Sequence, residues 1–181
     1  MKSLLPLLEA PGAPILRKVS YPKGHLLLQP GDTADKIWVV EEGLIREFIL
    51  PDSGHEITTQ IAATGMSIYA PLSYLSGAPA STVIEVIEHC RVMALRPADL
   101  SPALFRLVLE QTVMRSEKRF QILQLKRPEE RLEAYERLYP ELCNRLPLYY
   151  VASLLNITPQ TLSRVRSLRT ARLTRGKMAC G

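Results

Sequence analysis

Between residues 19 and 95 the chain alternates short apolar runs with turn-forming residues, and beyond residue 101 the apolar positions take up a helical spacing. In the first stretch KGHLLLQPGD, ADKIWVVEEG, LIREFILPDSG, HEITTQIAATG and STVIEVIEHCRVMAL hold β-branched or aromatic runs closed by Gly, Pro, Asp or Ser. Runs of this kind read as short strands separated by turns. Many of them in succession predict a sandwich, jelly roll or barrel. Gly24, Gly31, Gly43, Gly54 and Gly65 fall at the joints, where a positive φ or a tight bend favours a residue without a side chain. Ahead of the strands, MKSLLPLLEAPGAP carries an apolar run broken by Pro6 and Pro11. It is too short to span a bilayer and is expected to form a short helix packed on the strands.

The helical part opens at Ser101-Pro102, a cap followed by a first-turn proline, and its first helix is expected to run to residue 126. Leu109, Val113, Ser116, Phe120 and Leu123 recur at spacings of 4, 3, 4 and 3, the seam of a coiled coil. A helix lying on its own β-domain would also need an apolar face, and Leu104, Phe105, Val108 and Ile122 suit that. Two apolar faces on one helix predict that the other meets a second copy, giving a parallel homodimer. Pro128 ends the helix. EERLEAYERLYPELCNRL then predicts another, with Leu132, Tyr135, Leu138 and Tyr139 on one side, stopped near Pro140.

Residues 147–168, PLYYVASLLNITPQTLSRVRSL, read as a helix-turn-helix. Val151, Leu154 and Leu155 mark the first helix, Asn156 suits a left-handed turn, Thr158 caps the second helix and Pro159 takes its first position. At about 100° per residue, Leu162 and Val165 face one way while Gln160, Ser163, Arg164 and Ser167 face the other. Arg suits guanine and Gln suits adenine in the major groove, and Ser163 or Thr158 suits a phosphate or base edge. With Thr161 and Arg169 these residues make up the candidate DNA-binding set. An ordinary helical hairpin with a solvated face satisfies the same periodicity.

Charge shifts the balance between those readings. Residues 1–100 hold 8 Lys+Arg against 11 Asp+Glu, a balance of −3, and residues 101–181 hold 15 against 7, a balance of +8. After Glu141 no acidic residue follows, while Arg145, Arg164, Arg166, Arg169, Arg172, Arg175 and Lys177 do. That is the footprint of a phosphate-facing surface. Cys90, Cys143 and Cys180 are too few and too far apart for a disulfide framework or zinc set, which fits a reducing cytoplasm.

The order β-roll, long helix, helix-turn-helix resembles the Crp/Fnr family of bacterial transcription regulators. The likeness rests on KGHLLLQPGDTADKIWVVEEGLIREF, on YLSGAPASTVIEVIEHCRVMAL after the family's phosphate-cassette helix, and on PLYYVASLLNITPQTLSRVR. It implies an α+β chain: a double-stranded β-helix or jelly roll over residues 1–100, a dimerisation helix over 101–127, and a helix-turn-helix with a basic tail over 128–181. The family's two-stranded wing is expected to be short or absent, because TARLTRGKMACG carries no hairpin signal. The resemblance further implies double-stranded DNA, a second copy and RNA polymerase as partners, with Gln160, Ser163 and Arg164 at base-reading positions. Where family members commonly have Glu, this chain has Gln160, so the family's half-site does not carry over.

Nucleotide-binding members hold the cyclic phosphate with a Gly-Glu pair and an Arg beside Ser or Thr. The corresponding positions here fall near Ala70-Pro71 and Ala80, which argues against cyclic AMP, since burying an unpaired phosphate charge is costly. Ser73, Tyr74, Ser81 and Thr82 are left as the candidate effector pocket for a different small molecule, and no cofactor is expected. An iron-sulfur cluster would need clustered cysteines, and redox sensing by Cys90 or Cys143 would need an exposed thiol of low pKa. For a haem, His25, His55 and His89 are axial-ligand candidates by residue type alone, and the same histidines, lacking an H-x-H pair, poorly support a metal-binding cupin enzyme. A ligand-binding or protein-interaction module that no longer binds DNA remains the alternative to a regulator.

Overall fold

The structure, a computed structural model, describes residues 3–10, 17–52 and 54–178, with side chains as far as residue 171. The side chains of Arg172, Arg175 and Lys177, and the whole of Cys180, lie outside the described residues. The chain folds as two compact units, residues 1–116 and 117–181.

The first unit begins with the short helix α1 (Leu5–Leu8) and continues through eight strands: β1 (Arg17–Tyr21), β2 (Leu26–Leu28), β3 (Ile37–Glu42), β4 (Ile45–Ile49), β5 (Ile57–Ala62), β6 (Ser67–Ile68), β7 (Val83–Val86) and β8 (Cys90–Leu95). They form two four-stranded antiparallel sheets, ordered β1-β8-β3-β6 and β2-β7-β4-β5. Helix α2 (Pro71–Ser76) follows β6 and ends at Gly77 in the left-handed conformation.

The apolar run IWVV in β3 shows how the core is layered. Trp38 and Val40 join the cluster with Ile45, Ile84, Val86 and Val92, on strands of both sheets. Ile37 and Val39 point to the opposite face and pack with Leu4, Leu8, Leu104 and Val108 from the helical segments. Both faces of β3 are therefore covered, which is why it reads as a continuous apolar run rather than an alternation. Burial of each such leucine stabilises the unit by about 1.5–3 kcal/mol.

Gly43 is fixed by its surroundings. Its φ is +97°, and a Cβ there would lie 2.4 Å from both Cys90 Sγ and the His89 carbonyl oxygen.

Helix α3 (Pro102–Gln124) is capped as expected, the Leu104 N–H donating to Ser101 Oγ at 3.2 Å. Within the first unit the Gln111 side chain accepts from the Ser67 N–H at 3.0 Å and donates to the Gly65 carbonyl at 3.2 Å. The division between the units falls inside this helix, after Ser116. Ile122 is buried, but it belongs to the second unit rather than to the cluster on the sheet.

The second unit also holds α4 (Pro128–Leu138), a 3-10 turn at Pro140–Leu142, α5 (Leu148–Leu155) and α6 (Pro159–Met178). Leu132 and Tyr135 of α4 are fully buried, while Leu138 is only half-buried. Helix α6 runs unbroken past residue 168, so the stretch read as a basic tail continues the helix as far as residue 178.

Candidate nucleic-acid interface

Helix α5 starts at Pro147, whose carbonyl accepts from the Tyr150 and Val151 N–H groups at 3.0 and 3.2 Å. Val151, Ala152, Leu154 and Leu155 are buried. The helix stops at Asn156, with φ 52° and ψ 50°, the one non-glycine residue at positive φ among those described. The Ile157 N–H closes the end on the Ala152 carbonyl at 3.0 Å, the pattern of a left-handed C-terminal cap. Two residues later Thr158 opens α6, its Oγ1 accepting from the Thr161 N–H at 3.1 Å. A polar residue tolerant of αL, then a hydroxyl cap, then Pro159 thus turn the chain between the helices.

Leu162 and Val165 of α6 are buried, and Gln160, Ser163, Arg164 and Ser167 are exposed. Arg131 on α4 supports this arrangement: its Nη1 donates to the Leu155 carbonyl at 3.0 Å and its Nε to the Leu125 carbonyl at 2.8 Å. One guanidinium thereby satisfies carbonyls at the ends of two helices. Nothing in the sequence around Arg131 marks it for this role, because its partners are set by the packing of α4.

The seven residues expected to meet DNA do not stand alike. Gln160, Ser163 and Arg164 are exposed, and their side chains make no hydrogen bond or ion pair among the described residues. The hydroxyls of Thr158 and Thr161 lie 2.9 Å apart and share a hydrogen bond. Ser167 donates its hydroxyl back to the Ser163 carbonyl at 3.0 Å, a competition common for Ser within helices. Arg169 is the one of the seven in an ion pair among the described residues, with Glu136 of α4, so its charge is partly compensated within the unit. Glu136 lies 33 positions away, beyond any local sequence signal.

Along α3 the five seam positions are at least partly open. In the first unit Leu109 is half-buried and Val113 and Ser116 are exposed; in the second Phe120 is exposed and Leu123 half-buried. Val113 is 63% and Phe120 60% exposed, and Met114, next to Val113 and outside the five positions, is exposed as well.

The candidate effector residues occupy four different environments. Ser73 Oγ accepts from the Ala34 N–H at 2.9 Å and donates to the Ala78 carbonyl at 2.6 Å, so it ties two loops together and has no free donor for a ligand. Tyr74 packs edge-on to Tyr69 at 5.5 Å and near Phe105 at 6.3 Å. Ser81 is exposed, and the Thr82 hydroxyl is buried without a hydrogen-bond partner among the described residues. Ala70 and Ala80, where the family's nucleotide anchors would fall, are both buried, and the Ala80 backbone is bonded to Gly31 and Asp32.

Neither described cysteine suits a redox switch. Cys90 is fully buried, with its Sγ donating to the Leu44 carbonyl at 3.3 Å. Burial, reinforced by Glu136 and Glu141, pushes the Cys143 thiol above its ordinary pKa. His25 stacks on Tyr21 with centroids 4.5 Å apart, and among the described residues no three His, Cys, Asp or Glu gather as a metal site. No described helix is long and apolar enough to cross a membrane.

Residues 18–106 match the family model of the cyclic nucleotide-binding domain. Among curated proteins none is significantly similar in sequence. Solved structures share the fold over most of the chain. A Crp/Fnr-family transcriptional regulator of Thermus thermophilus superposes with a TM-score of 0.71 at 19% identity, covering 86% of this chain and 87% of that one. FixK2 of Bradyrhizobium japonicum gives 0.71 at 17%, covering 87% and 86%. The c-di-GMP-responsive global regulator CLP of Xanthomonas campestris gives 0.69 at 14%, covering 87% of each.

Proposed function

We propose that the chain is a DNA-binding transcription regulator of the Crp/Fnr type. It acts as a homodimer paired along α3, with α5 and α6 as its helix-turn-helix and a β-roll that senses a small effector other than cyclic AMP. The observation that carries the reading is the face of α6. Gln160, Ser163 and Arg164 are exposed and unengaged on a helix whose other side is fixed by Leu162 and Val165. Those are the side-chain types that pair bidentately or by hydroxyl with base edges, and a docked helix holds them in register at little further entropic cost. Pairing of two chains would present two such faces about 34 Å apart, one DNA turn. The likeness to regulators supports the fold that this arrangement requires.

The test is selection of duplexes from a random-sequence pool by the full-length chain, with the mass of the selected complex measured afterwards. Enrichment of a two-fold-related pair of half-sites in a complex of two chains supports the proposal. Enrichment of no sequence, with binding absent at low salt, refutes it. That result would favour a ligand-binding or protein-interaction module, the reading that the Arg169–Glu136 ion pair supports by withdrawing one cation from a phosphate-facing role.

A further inference from the structure

The β-roll carries a cavity of about 250 Å³ lined from β1, β2, β3, β8 and the residues next to them, with no lining residue from the segment that follows β6. The strand register builds it. Arg17 of β1 and Trp38 of β3 both pair with Ala94 of β8, so Arg17, Ala94 and Trp38 stand in one row on the face turned toward the second sheet. Lys36 and Arg96 also line the cavity, one strand alternation beyond Trp38 and Ala94. Tyr21 and His25, stacked at 4.5 Å, line it as well.

Its chemistry is one-sided. Arg17, Lys36 and Arg96 line it and no carboxylate does. Lys36 has Asp35 at 3.2 Å, an exposed pair, which contributes little. Arg17 and Arg96 make no side-chain ion pair among the described residues; the Asp99 carboxylate near Arg96 accepts from its backbone N–H at 2.8 Å. Two guanidinium forks beside an aromatic wall suit a planar or apolar body with a carboxylate or phosphate head. The surrounding unit is net acidic, which makes this local cluster stand out from its background.

The geometry points to a binding site for a small organic anion here, its apolar body against Trp38 and the Tyr21–His25 stack, its acidic head held by Arg17, Arg96 and Lys36. The site is separate from DNA binding and is tested without DNA, so its failure leaves the regulator proposal standing.

Trp38 is the single tryptophan of the chain and lines this cavity, so its fluorescence responds to a ligand seated there. The full-length protein is titrated with benzoate, phenyl phosphate, neutral benzamide and inorganic phosphate, with calorimetry run alongside to register binding that leaves the fluorescence unchanged. At least one aryl anion should saturate, benzamide should bind about tenfold or more weakly, and inorganic phosphate should leave Trp38 unchanged. Phenyl phosphate outbinding benzoate identifies a phosphate head, and the reverse a carboxylate. The double variant Arg17→Gln, Arg96→Gln removes exposed side chains and should retain the fold by circular dichroism while losing about tenfold or more in anion affinity. The proposal is overturned if neither aryl anion binds, if benzamide matches benzoate, if inorganic phosphate reproduces the Trp38 response, or if the double variant binds as the parent does.

Discussion

Replacing Arg164 and Arg169 in turn should separate base reading from phosphate contact in the proposed DNA complex, and the Arg169–Glu136 ion pair alters what the second replacement should do. Arg164 is exposed and makes no ion pair among the described residues, so Arg164→Ala should leave stability within about 0.5 kcal/mol of the parent. If Arg164 reads guanine, its loss should cost about 1–3 kcal/mol of discrimination at one position, roughly 5–150-fold in relative affinity. Arg169, by contrast, begins paired with Glu136 across α4 and α6, with side chains 45% and 33% exposed. A pair that open contributes about 0.2–1 kcal/mol, which Arg169→Ala should take from stability. Since Glu136 already offsets the charge, Arg169→Ala should lower the slope of log K against log salt by less than the roughly 0.9 expected of a free phosphate contact. Glu136→Ala should then raise affinity for every duplex alike, because it releases Arg169. Fluorescence anisotropy with selected and scrambled duplexes over a salt series measures all three variants. Unchanged discrimination in Arg164→Ala would show that α6 presents another face, and a full-unit loss of slope in Arg169→Ala would show that the ion pair opens at no cost.

Phe120→Glu places a charge on an exposed apolar position of the α3 seam and should yield monomers in sedimentation velocity; an unchanged dimer would locate the interface elsewhere. Gly43→Ala brings a Cβ within 2.4 Å of Cys90 Sγ and the His89 carbonyl at a φ of +97°. It should destabilise the roll by more than about 3 kcal/mol, and a thermal midpoint near that of the parent would contradict so close an approach of these strands. Glu41 is held below its ordinary pKa: burial pushes it up, but hydrogen bonds and charge from Lys18 and Arg91 together outweigh that. A depressed carboxyl contributes stability above its unfolded pKa and loses it as the pH falls through the folded value. Glu41→Gln should therefore cost stability at neutral pH and little in acid below that range, as read from denaturant midpoints across pH; a cost independent of pH would remove the ion pairs as its cause.

How far the sequence disclosed this arrangement depended on whether a feature was local. Strand joints were legible because Gly24, Gly31, Gly43, Gly54 and Gly65 all adopt positive φ, a demand each places on its own residue. The cap at Thr158, the turn at Asn156 and the inward pair Leu162 and Val165 were legible for the same reason, lying within a few helical turns of one another. What escaped the sequence was long-range. The Ser73 hydroxyl is consumed by Ala34, 39 positions away; Arg131 spans to Leu155 across 24; Glu136 captures Arg169 across 33. Composition identifies such groups as polar and available, and only packing decides that they are already engaged. The cavity at Arg17, Lys36 and Arg96 escaped for the same reason, since strand register gathers its cations from three separate stretches of chain.

The proposed pairing along α3 and the proposed DNA contact by α6 are testable through one quantity, the number of phosphates a complex neutralises. Each chain brings its own cations, so a dimer engaging two half-sites should show a salt slope about twice that of one chain, near −0.9 for every phosphate met. Phe120 lies on α3 and the exposed polar positions lie on α6; Phe120→Glu should therefore leave the polar face of each chain intact while separating two chains paired along α3. If pairing along α3 brings both faces to one duplex, the monomeric variant should retain about half the parent slope and lose affinity for paired half-sites far more than for a single one. An equal loss on both would mean that Phe120 serves the fold of its own unit, and a retained full slope would mean that one chain carries the whole interface. The two measurements thus decide jointly whether the exposed apolar residues of α3 and the polar face of α6 belong to one machine.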